Sequence, residues 1–109
     1  MSAARNKSRS SPRLRRRCKI ALREAQGRAD ASAAATFTVD VSAGGFCAEL
    51  MRVPSPGTQV TGSIAIDGHE YAFSGRVAWT HASAPHMNLR GRIGVTFSEI
   101  ADEFKKKLA

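Results

Sequence analysis

Residues 60–79 read VTGSIAIDGHEYAFSGRVAW, and this stretch decides the fold. Val60, Gly62, Ile64 and Ile66 fall on one parity, the period of a strand with one buried face. Asp67-Gly68 follows, a pair suited to the positive φ angles of a two-residue hairpin. Tyr71 to Trp79 alternates again as the returning strand, with Gly75 expected at a bulge or bend. A hairpin of this kind, with no helical period in it, argues for antiparallel β-structure.

The same period recurs on both sides. Upstream, Cys18, Ile20 and Leu22 alternate with Lys19, Ala21 and Arg23, predicting a first strand over 18–23. Residues 36–41 (TFTVDV) predict a second, with Phe37, Val39 and Val41 inward and Asp40 outward. Residues 46–51 predict a third, and Pro54-Ser55-Pro56-Gly57 a loop. Downstream, 81–92 reads as a polar loop and 93–97 as the last strand. Ser98 is then placed to cap a short helix, in which Ile100, Phe104 and Leu108 form one apolar stripe. Lys105, Lys106 and Lys107 suit its negative end. The expectation is an all-β fold, a small six-stranded antiparallel β-barrel with a C-terminal α-helix.

The chain has 109 residues, which favours one domain, and 42% hydrophobic residues, enough for one modest core. Seven aromatic residues make that core mostly aliphatic. No apolar run approaches the about 18 residues that span a membrane, and no apolar segment follows the basic N-terminus as a secretory leader requires. Membrane insertion is therefore not expected. Cys18 and Cys47 match no zinc spacing and read as reduced, half-buried thiols of a cytoplasmic protein. His69, His81 and His86 form no ligand cluster, so no metal is expected. Ser42 lacks the partners of a nucleophile, and no catalytic constellation is visible; the chain does not read as an enzyme.

The net charge of +8 is concentrated at one end. Residues 1–23 carry nine Lys or Arg and no acid, while the rest carry eight basic and nine acidic side chains, a net of −1. Residues 1–12 read as a disordered basic tail and 13–109 as the folded domain. A nucleic-acid face would spread positive charge over the body, so nucleic acid is disfavoured as a partner.

Two groups of residues carry chemistry. Arg13 and Arg17 stand four apart beside the first strand, and Asp40-Val41-Ser42-Ala43-Gly44-Gly45 closes the second. Guanidinium forks suit phosphates and the O6/N7 edge of guanine. A carboxylate suits the N–H donors of guanine's other edge, and a glycine admits a bulky ligand close to the backbone. Together they suggest a site for an anionic guanine nucleotide.

In this order the two groups resemble the R-x-x-x-R and [D/N]-x-S-x-x-G motifs of the PilZ domain, the bacterial receptor module for the second messenger cyclic di-GMP. Pro56-Gly57-Thr58, residues 75–79 (GRVAW) and residues 93–97 (IGVTF) are weaker family-like stretches. The resemblance covers about residues 13–109. Arg5, Arg9, Arg13 and Arg17 all keep the four-residue spacing, and the abutment of Arg17 on the first strand selects Arg13 and Arg17, with Arg16 an extra nearby cation.

The resemblance implies a cyclic di-GMP receptor whose ligand is held by Arg13, Arg17, Asp40, Ser42 and Gly45. The arginines would serve phosphates or bases, Asp40 the guanine N1–H and N2–H, Ser42 a base or phosphate, and Gly45 steric clearance. It also implies a protein effector, in motility, pilus or exopolysaccharide machinery or a regulator. No cofactor beyond the ligand is implied. The alternatives are a small basic barrel binding RNA or DNA through the arm, or a PilZ-fold interaction protein without nucleotide binding. Trp79 reads as core or barrel rim, with stacking on a guanine as the alternative.

Overall fold

The computed structural model describes residues 16–25 and 34–108. The tail expected over 1–12, and Arg13 with it, lie outside the described residues.

Six strands form: β1 (Lys19–Glu24), β2 (Ala34–Ser42), β3 (Gly45–Leu50), β4 (Gln59–Ile66), β5 (His69–His81) and β6 (Gly91–Ile100). They close into an antiparallel barrel in the order β1-β2-β3-β6-β5-β4. The β4–β5 hairpin pairs from Ile66↔His69 to Gln59↔Arg76. Its turn has φ of 51° at Asp67 and 82° at Gly68, the two positive angles that match a tight turn to the twist of its strands. One short helix, α1 (Asp102–Lys107), follows β6.

Ile20, Leu22, Val41, Val60, Ile64, Val77 and Ile93 fill the interior from all around the ring. The interior is not aliphatic throughout. At the end covered by α1, Phe46, Phe73, Phe97 and Phe104 meet edge-on, with ring centroids 5.4 Å apart for Phe46–Phe73, 5.5 Å for Phe73–Phe97 and 5.6 Å for Phe97–Phe104. Phe104 and Leu108 are buried, and Ile100 packs against the core from the end of β6, so the apolar stripe seals that end.

Four expectations need correction. Phe37 is not inward: it is 44% exposed, and its neighbour Thr38 takes the interior position. The cause is a bulge. Thr38 pairs with Ala48 but Asp40 with Cys47, so Val39 is an extra residue that reverses the parity of β2. Ser98 caps no helix. It lies inside β6 as the extra residue where Phe97 pairs with Gly75 and Glu99 with Ser74. The bulge expected at Gly75 is thus at that level, on the opposing strand. Helix α1 starts instead after extended Ala101, with no side-chain cap but with Asp102 and Glu103 in its first turn. The loop expected over 81–92 is shorter, because β5 runs to His81 and β6 begins at Gly91. Cys18 and Cys47 are buried rather than half-buried.

Among the described residues no helix is long and apolar enough to cross a membrane, and no group of three His, Cys, Asp or Glu is placed to hold a metal ion.

Candidate functional site

The segment before β1 is fixed to β2 by one buried hydroxyl. Thr38 Oγ1 accepts from the Cys18 N–H at 2.8 Å and donates to the Arg16 carbonyl. The Thr38 N–H donates to the Cys18 carbonyl at 2.9 Å. Inverting β2 at Phe37–Thr38 therefore puts a hydroxyl inside, where it satisfies the incoming backbone, and an aromatic ring outside.

Arg17 uses that ring. Its guanidinium carbon lies over Phe37, 4.6 Å from the ring centroid, and the side chain is exposed. Arg16 turns the other way and pairs with Asp67 in the β4–β5 turn, a contact between two partly exposed groups. Burial pushes the Cys18 thiol above its ordinary value, against the smaller opposing pull of the Thr38 hydrogen bond and the Arg16 charge.

Asp40 lies beyond the bulge. Val41 beside it is fully buried, so Asp40 shares the outer face of β2 with Phe37, about 10 Å along the strand. The structure thus brings Arg17 and Asp40 to one outer wall. Ser42 and Gly45 face each other across the β2–β3 turn. The Ser42 hydroxyl serves that turn, accepting from the Gly44 N–H at 3.2 Å, with the Gly45 carbonyl at 3.5 Å. A Cβ on Gly45 would run into the Val95 carbonyl of β6, so strand packing alone calls for glycine there.

Two further residues border this wall: Trp79, expected as core or barrel rim, and Phe37, whose outward turn sequence reasoning missed. Register sets Asp40, Cys47, Gly94 and Trp79 in one row across β2, β3, β6 and β5. The residues flanking Cys47 and Gly94 point into the core, so this row is external. The Trp79 indole lies against Gly94, where a Cβ would collide with it, and against His81 at 5.1 Å between centroids. Trp79 is half-buried on the barrel wall, not in the core. The other is Phe37. Nothing in a run of TFTV signals the bulge that turns it outward. Beside the turn, a cleft of about 690 Å³ opens between Gly44, Ser74, Phe97, Glu99 and Lys105, under α1.

The wall offers a cation, a carboxylate, two aromatic surfaces and a small-residue turn. That set can hold a flat, hydrogen-bonding anion. A family model described as PilZ domain matches residues 7–109. The chain is similar in structure to the Bacillus subtilis inhibitor of motility MotI/DgrA, with a TM-score of 0.72 and 15% identity over 92% of this chain. It spans about half of that protein, 47% of its length. It is also similar to the PilZ domain of CeSA from a cellulose-synthesizing bacterium, with a TM-score of 0.61 and 19% identity over 90% of this chain and 91% of the other. At these identities the likeness is one of fold. Among curated proteins, none matches the chain.

Proposed function

Because the chain belongs to the PilZ domain family, we propose that it is a cyclic di-GMP receptor that binds the dinucleotide on the outer wall of β1 and β2 and passes the signal to a protein effector. The observation that carries this reading is the shared placement of Arg17 and Asp40 on that wall, with the guanidinium already settled over an aromatic ring. Arg17, with Arg13 from the arm, meets the phosphates and the O6/N7 edge of a guanine; Asp40 accepts from its N1–H and N2–H. Trp79, in the same row as Asp40 but three strands round the ring, would be available to a second base. Ser42 and Gly45 act mainly by shaping the turn that borders the ligand.

In this reading binding draws the basic arm onto the barrel, since two phosphates offset part of its charge. The module is a binding adaptor rather than an enzyme and works in the bacterial cytoplasm, where the messenger is found. The similar structures point to motility or cellulose-synthesis machinery as the class of effector.

Calorimetry with cyclic di-GMP tests the reading. Arg17→Ala and Asp40→Ala should each weaken binding by about ten- to a hundredfold, as expected for lost charge-assisted contacts. The absence of any heat with the wild-type chain at high micromolar ligand would reject the receptor. Amide exchange over residues 5–20 should slow on saturation, and unchanged exchange would reject the arm's part in it.

The clustering of nine basic residues in 1–23 favours a second reading, in which the arm binds RNA or DNA. That binding would fall steeply with salt and ignore cyclic di-GMP.

A further inference from the structure

Phe37 contributes little to the barrel it belongs to. It is 44% exposed, in a strand whose neighbouring residue is fully buried, and the bulge at Val39 is what leaves it outside. Its defined partner is the guanidinium of Arg17. The Thr38 hydroxyl holds the backbone on either side of Arg17, so the cation and the ring stay in register.

We propose that Phe37 is a specificity-determining residue of the ligand site: its ring is the floor of a three-layer stack, with the Arg17 guanidinium in the middle and a purine base on top. The proposal rests on the receptor reading above and adds a residue to it. A guanidinium is weakly hydrated on its two faces and donates hydrogen bonds only in its plane. With one face laid on Phe37, the other is open to a flat base, and the in-plane N–H groups remain available to oxygen atoms. A base gains from such a stack and a bare phosphate does not. Phe37 therefore selects anions that carry a nucleobase over inorganic anions of equal charge.

The test uses the full chain with Phe37→Leu and Phe37→Tyr. Cyclic di-GMP affinity is measured by calorimetry, and base stacking by the circular dichroism induced in the guanine absorption band. Phe37→Leu should weaken binding by about three- to thirtyfold, the range of a cation–π contact from exposed to desolvated, and should shrink the induced band. Phe37→Tyr should restore both. Inorganic pyrophosphate should bind both variants as it binds the wild type. Thermal melting without ligand checks that each variant is folded, which the exposure of the side chain favours. Wild-type affinity and band in Phe37→Leu would overturn the stack, as would an equal loss in the Leu and Tyr variants or an equal loss of pyrophosphate. No binding by the wild-type chain would reject the receptor itself, a distinct result, and the stack with it.

Discussion

Thr38 is the residue on which the placement of the arm turns. Replacing it with valine keeps the shape but removes the acceptor of the Cys18 N–H and the donor to the Arg16 carbonyl. With a buried N–H left unmet, Thr38→Val should cost about 1–3 kcal/mol in urea denaturation. Amide exchange at Cys18 should quicken in the same variant. Its neighbour Cys18 gives a pH dependence. The folded thiol titrates above its unfolded value, so folding favours the neutral form. That contribution is fully present below about pH 8.5, the unfolded value, and is lost as pH rises through it toward the folded one. The wild type should therefore lose more stability between pH 7.5 and 10 than Cys18→Ala does, compared by melting at each pH. An equal slope in both would remove Cys18 from the account. At this scale Arg17 and Asp40 could be singled out as candidates, because arginine and aspartate at motif spacing announce their chemistry, and the structure sets both on one outer wall. Phe37 was not, since a bulge is a property of strand pairing and one strand's letters do not contain it.

Among the elements, the β4–β5 hairpin was the most readable. Its registers run without a shift from Ile66↔His69 to Gln59↔Arg76, and Asp67-Gly68 states its own turn. The strands that bulge, β2, β5 and β6, were legible in existence but not in phase or length. The helix was legible in its apolar stripe and not in its start, because Ser98 is absorbed by pairing with β5. Two predictions belong here. Gly45→Ala drives a Cβ against the β6 backbone and should lower the stability of the ligand-free protein by about 1–3 kcal/mol, read by thermal melting. An unchanged melt would return Gly45 to a role in ligand clearance alone. Phe104→Ala empties the site beneath α1, where the rings of Tyr71 and Phe97 meet it, and should cost about 3–5 kcal/mol by the same measurement. Near-ultraviolet circular dichroism should report the loss of that aromatic packing.

The whole molecule is a near-neutral shell with its positive charge gathered in the leading segment. Composition alone made that visible, and it separates the two functional readings. Binding of cyclic di-GMP involves two phosphates and should weaken modestly between 50 and 200 mM salt. Binding of a polynucleotide through the arm should drop by orders of magnitude over the same range. Competition of cyclic di-GMP against labelled single-stranded RNA, titrated at both salts, distinguishes them.

The pairing of β1 with β4 closes the ring of strands. Among the described residues, every strand then has a neighbour on each side in the ring, which leaves less open strand edge than an open sheet would. On the receptor reading, closure of the ring disfavours recognition by strand addition, a common route of peptide capture by sheet proteins. Side chains on the outer surface are then the favoured contact, so on that reading single surface substitutions should uncouple a protein effector while leaving the ring intact, as thermal melting would check.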